Sequence, residues 1–164
     1  MAAEAERAEY QACADAVERT LERCPKVAQL REALRRLGRD IPVSCAPCPE
    51  PDKGKTPAAG GYMTDSSSIV MCQKWAAEMP SEVANTLVHE LIHAYDDARA
   101  HIDWTNLVHH ACTEIRAANL SGDCSFRREL NRSNISPLHI SMAGQRCIRR
   151  RAQLSVVMLS LIHI

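Results

Sequence analysis

Leu87–Cys124 reads LVHELIHAYDDARAHIDWTNLVHHACTEIRAANLSGDC, and the first turn of that stretch decides the fold. His89, Glu90 and His93 form an H-E-x-x-H pattern, with Val83, Leu87, Leu91 and Ala94 at helical spacing around it. On an α-helix, residues four apart lie one above the other on one face, so two imidazoles can meet a single ion while Glu90 projects beside them. Two imidazoles and an open coordination position are the chemistry of a catalytic zinc. Zinc makes water acidic near neutrality, and a neighbouring carboxylate takes the proton and passes it to a leaving amine. The residues therefore point to His89 and His93 as metal ligands, Zn2+ as the metal and Glu90 as the catalytic base of peptide-bond hydrolysis.

A catalytic zinc needs a third protein ligand. Glu114, in the middle of the next expected helix, is the first choice, with Asp103, His109 and His110 as rivals and His101 in the intervening turn. Each has an ordinary alternative: His110 and Glu114 are spaced to bond each other, and Asp103 is placed to cap the helix that runs to about Leu120, where Ser121 and Gly122 stop it. Asp96 or Asp97 is spaced to orient a ligand imidazole.

Upstream, Ser68–Gln73 (SIVMCQ) is short, apolar and rich in β-favouring side chains, which predicts a strand. An extended peptide can add to an open sheet edge, so this strand is expected to be an edge that lines the cleft. Pro80 and Ser81 then open the active-site helix. Further back, residues 39–61 carry five prolines and three glycines, which predicts loop with a short strand at Ile41–Val43. Before that, Cys13, Val17, Leu21 and Cys24 mark an amphipathic helix from Ala3 to Arg23. Val27, Leu30, Leu34 and Leu37 mark a second, which opens at Pro25 and ends at Gly38.

The fold these elements compose is α+β and mainly helical with a small sheet, a zincin-like metallopeptidase. Residues 1–38 would form a helical hairpin, 39–155 the zinc peptidase core and 156–164 an apolar tail, all within one compact domain. The 164 residues carry twenty basic and twenty acidic side chains, so no global field draws the chain to nucleic acid, and no nucleic-acid partner is expected. Eight cysteines favour a disulfide framework in an oxidising compartment, although they permit on the order of a hundred pairings and the sequence selects none. Cys45 and Cys48 form C-x-x-C without a matching second pair, which favours two separate disulfide ends over a zinc knuckle. Cys13 and Cys24 share a helix face and should pin to neighbouring segments rather than to each other. The first ten residues hold three glutamates and no apolar run, unlike a secretory or transit segment. Leu154–Ile164 is apolar but too short to span a bilayer.

The DW, ACTEIRA and LSGDC segments between Asp103 and Cys124 have no generic meaning, and Cys45-Ala46-Pro47-Cys48, Gly60-Gly61-Tyr62, Ile69-Val70-Met71-Cys72-Gln73 and Cys147-Ile148-Arg149-Arg150-Arg151-Ala152 accompany them. Over about residues 40 to 155 the chain resembles the mitochondrial inner-membrane metalloprotease family that processes an ATP synthase subunit precursor and assists assembly of the synthase's membrane sector. The resemblance implies zinc on His89 and His93, catalysis by Glu90, and peripheral attachment to the inner membrane on the intermembrane-space side. It also implies an assembly activity separable from proteolysis, so a non-catalytic assembly chaperone on the same fold is the first alternative. A nuclear, DNA-associated metalloprotease or adaptor is the second. After the CIRRRA segment the chain departs from the family into SVVMLSLIHI, which reads as a divergent or truncated C-terminus.

Overall fold

The computed structural model describes residues 2–49, 58–132 and 142–162. The chain forms two compact units, Met1–Ala98 and Arg99–Ile164.

The first unit opens with α1 (Ala2–Arg23) and α2 (Pro25–Arg36). One face of α1 buries Cys13, Ala16, Val17 and Thr20, and the Thr20 hydroxyl donates back to the Ala16 carbonyl. Cys24 is extended and Pro25 supplies the first helical residue, which separates the two helices at the point the sequence indicates. At the far end Gly38 has φ +74, and the Gly38 and Arg39 amides donate to the Arg35 and Leu34 carbonyls. That left-handed residue is why the helix stops there.

Three strands follow: β1 (Val43–Ala46), β2 (Gly60–Met63) and β3 (Ser68–Cys72), in the spatial order β1-β3-β2. β1 runs parallel to β3 with Val43 opposite Ile69, and β2 runs antiparallel with Gly60 opposite Met71. Three expectations are corrected here. Ser68–Cys72 is the central strand, not an edge, because it pairs on both sides; its Ile69, Met71 and Cys72 are buried, as the doubly covered position of a short apolar run demands. Residues 39–61 are also not simply loop with a strand at 41–43: they yield β1, which begins at Val43, and the start of β2. Gln73, expected as strand, instead opens a short helix, α3 (Gln73–Glu78). The unit closes with α4 (Val83–Arg99), two residues later than Ser81 suggests, after a turn in which the Asn85 and Thr86 amides donate to the Glu82 carbonyl.

Two disulfides fasten this unit. Cys13–Cys45 ties α1 to β1, with Cα atoms 6.3 Å apart, and Cys48–Cys72 ties the segment after β1 to the end of β3 across 4.6 Å. The two cysteines of the C-x-x-C motif thus serve separate bridges, and Cys13 does not pair with Cys24.

The second unit comprises α5 (Leu107–Leu120), α6 (Phe126–Asn131) and α7 (Ala143–Ile162), with α5 and α6 each packed on α7. Ala118, Cys124 and Cys147 form its centre with Ile148 against them, and Cys124–Cys147 is the third disulfide. Glu129 is 1% exposed, and Arg150 Nη2 donates to both its carboxylate oxygens at 3.0 Å while Arg132 adds a third contact at 3.2 Å. The apolar residues after 155 continue α7 as far as Ile162. Among the described residues, no helix is long and apolar enough to cross a membrane.

Removing Cys48–Cys72 by paired alanine substitution releases a loop with a sequence separation of 24. Loop-closure entropy puts the expected loss at about 3 kcal/mol. Urea unfolding of the oxidised protein and the double variant should show it as a lower midpoint; equal midpoints would refute the pairing.

Candidate metal centre

Val83, Leu87, Leu91 and Ala94 lie on the buried side of α4, and Val88 and Ile92 are buried with them, so the helix is held in place by its apolar face. That burial fixes the azimuth of every other side chain on it. His89 and His93 are 8% and 5% exposed, and their ring centroids lie 4.9 Å apart at an interplanar angle of 70°. A tetrahedral ion with nitrogen ligands at about 2 Å needs two ring nitrogens roughly 3 Å apart. Two imidazoles one helical turn apart can each offer a nitrogen to one ion, and nitrogen donors suit zinc, so the pair fits a divalent transition metal.

Glu90 stands beside them, and its carboxylate is held from another element. The Tyr62 backbone N–H on β2 donates to Glu90 Oε2 at 2.9 Å, and the Tyr62 hydroxyl donates to Asp97 Oδ2 at 2.9 Å. Burial raises the pKa of the Tyr62 hydroxyl above its ordinary 10.0; Asp97 adds to the shift and Ser67 opposes it, so the group is a proton donor at neutral pH. The close fit of β2 depends on Gly60. A Cβ there would sit 3.0 Å from both Met71 Sδ and the Val70 carbonyl, and 3.5 Å from Thr86 Cγ2 on α4. Sequence reasoning gives Tyr62 no role. Its signal is Gly60-Gly61-Tyr62, where two glycines hide a strand and the decisive donor is a main-chain atom.

The structure distributes the other candidates by environment. Asn106, not Asp103, caps α5: Asn106 Oδ1 accepts from the Val108 amide at 2.9 Å and the His109 amide at 3.4 Å. Asp103 makes a turn of its own, accepting from the Thr105 amide at 2.9 Å and the Thr105 hydroxyl at 2.6 Å. Those bonds hold its carboxyl below the usual aspartate range. The Asp103 amide in turn donates to His109 Nδ1 at 3.1 Å. Asp103, His109 and His101 are all exposed. Glu114 is different: it lies mid-helix, only 9% exposed, with His110 Nε2 3.9 Å from its Oε1. At that distance the expected His110–Glu114 hydrogen bond is absent, and His110 Nε2 is within 2.9 Å of Ser155 Oγ instead. Asp96 is 1% exposed, and Asp97 is engaged by Tyr62.

Comparison with known proteins gives this arrangement a family. The peptidase M76 family profile matches residues 11–163, through the stretch after residue 155. The mitochondrial inner membrane protease ATP23 homolog of Homo sapiens is 40% identical over 144 residues, 85% of this chain and 54% of that protein. Mitochondrial inner membrane protease ATP23 of Mycosarcoma maydis is 42% identical over 113 residues, 68% of this chain and 50% of that protein. Its counterpart in Schizosaccharomyces pombe is 38% identical over 137 residues, 80% of this chain and 68% of that protein. The chain therefore spans about half to two thirds of the length of these relatives. No solved structure matches it. With the family profile covering nearly its whole length, this chain belongs to the peptidase M76 family.

Proposed function

We propose that the chain is a zinc-dependent endopeptidase with a zincin-like core, in which His89, His93 and Glu114 hold the ion and Glu90 is the catalytic base. The observation that carries this reading is the pair of buried imidazoles one turn apart on α4 with Glu90 beside them. Each of the three proposed ligands offers one suitable atom, a ring nitrogen or a carboxylate oxygen. Burial favours Glu114 over its rivals: a carboxylate withdrawn from water gains most from a cation, whereas Asp103 is already satisfied by Thr105 and His109 by the Asp103 amide. A bound zinc supplies Lewis acidity, which acidifies water and polarises a peptide carbonyl. The chain's own part is to hold Glu90 where its carboxylate can accept a proton and return it to the leaving nitrogen.

For the substrate, the reading is a mitochondrial ATP synthase subunit precursor, with a second role in assembling the synthase's membrane sector. The site of action is the inner membrane, approached peripherally from the intermembrane space. The relatives' names, which specify proteases of the mitochondrial inner membrane, support the location. Three disulfides suit an oxidising compartment.

Glu90→Gln removes the base and keeps the shape. Cleavage of the precursor should fall about a thousandfold with metal content unchanged; cleavage at the wild-type rate would exclude Glu90 as base. Assembly that survives in the same variant would assign that activity to binding alone, as the chaperone reading requires. A separate measurement addresses the third ligand. Glu114→Ala should purify with little bound zinc, while Asp103→Ala and His109→Ala keep the full complement by metal analysis. Full zinc occupancy in Glu114→Ala would remove it from the ligand set.

A further inference from the structure

We propose that Tyr62 is a positioning residue for the peptidase reaction. Edge strand β2 aims the Glu90 carboxylate through the Tyr62 backbone N–H and is itself fastened to α4 by the Tyr62 hydroxyl on Asp97. The proposal rests on the reading of Glu90 as base and adds the element that orients it.

Three features of the first unit carry it. The Tyr62 amide is outside the sheet ladder. β2 pairs with β3 on one side only; the Cys72 amide donates to the Ala59 carbonyl, and alternation along an antiparallel pair then turns the Tyr62 N–H to the open edge. There it meets Glu90 Oε2 at 2.9 Å. Second, the contacts between β2 and α4 fall on one stripe of the helix. Thr86 faces Gly60, Glu90 takes the Tyr62 amide and Asp97 takes the Tyr62 hydroxyl. At about 100° per residue these three positions lie within roughly 40° around the axis, adjacent to the azimuths of His93 and His89. Third, the two bonds of Tyr62 leave from opposite ends of one residue, amide and phenol, and land on carboxylates seven residues apart. A residue held at both ends has little freedom to swing.

The physical consequence is orientation. A glutamate has three side-chain torsions, and ordering them costs on the order of 1 kcal/mol or more. A charge-assisted bond from a strand amide meets that cost before substrate arrives. Misplacement of a general base by a fraction of an ångström lowers turnover without weakening substrate binding, so the effect belongs in kcat rather than KM.

The test compares zinc-loaded full-length Tyr62→Pro, Tyr62→Ala and Tyr62→Phe. Proline removes the amide donor at an edge position where no ladder bond is lost, alanine keeps the donor and loses the phenol, and phenylalanine loses only the hydroxyl. Relative to Tyr62→Ala, Tyr62→Pro should lose about tenfold more in kcat, with KM and zinc content unchanged. Tyr62→Phe should fall a few-fold in kcat alone. Equal kcat in the proline and alanine variants, or wild-type kcat in Tyr62→Phe, would overturn the proposal. Amide hydrogen exchange gives a readout independent of turnover, and of whether Tyr62→Pro folds. The Tyr62 amide should exchange about tenfold faster in Glu90→Ala than in wild type and stay protected in Glu90→Gln, whose side-chain carbonyl still accepts. Unchanged exchange in Glu90→Ala would overturn it as well. Wild-type cleavage by Glu90→Gln would instead sink the base assignment while leaving the exchange pattern in place.

Discussion

The organisation of this molecule depends on one helix that must satisfy two opposed demands. α4 has to bury Val83, Leu87 and Leu91 to be held at all, and it has to keep His89, Glu90 and His93 aimed where chemistry can reach them. A helix meets both because its apolar and polar stripes are set by the same 3.6-residue period. The cost is that both imidazoles are almost entirely withdrawn from water. On the proposed reading, metal affinity at such a site becomes part of folding free energy.

Around that helix, covalent ties replace the larger core that a longer chain would build. Cys13–Cys45 and Cys48–Cys72 both end on the parallel pair β1 and β3, one from the helix below and one from the chain that leaves β1. A three-stranded sheet with four-residue edge strands is marginal on its own. Pinned at two corners, it becomes a stable support for β2, whose pairing to β3 is what places Tyr62 against α4. In the second unit, one buried glutamate clamped by Arg150 and Arg132 and one disulfide do comparable work at the junction of α6 and α7.

How legible this was depends on whether the information is periodic, local or main-chain. α1, α2, α4 and α5 follow from apolar spacing, whereas α6 and α7 do not figure in the sequence reading; Pro25 and Gly38 mark the bounds of α2 because each acts through its own backbone. Ser68–Cys72 is legible as a strand, yet its place in the sheet is not: hydrophobicity reports burial, and a central strand and a covered edge can read alike. β2 is hidden because glycine, which fills its first two positions, is depleted in strands, and Gly60 is required there by close approach rather than by propensity. α3 is too short for its period to show. The capping exchange between Asp103 and Asn106 is a contest of two adequate caps, settled when Thr105 satisfies Asp103 first. Disulfide partners lie outside what spacing can decide. In the site, the H-E-x-x-H turn is legible as a turn of helix, while the Tyr62 contact is not, since any residue but proline would supply the same amide.

That amide also bears on which atom of Glu90 can act. A carboxylate has two oxygens of equal basicity in water, and nothing in the sequence distinguishes them. Once Oε2 accepts from a fixed strand amide, the oxygens are no longer equivalent. The bonded oxygen shares its charge with a donor that cannot be displaced without moving β2. On the proposed reading, proton transfer then falls to Oε1, and the carboxylate plane is set by the strand rather than by the substrate. A base aimed in this way is ordered by a sheet edge rather than by its own helix. Such coupling would let a four-residue strand beginning with two glycines matter more to the chemistry than its contribution to the core suggests.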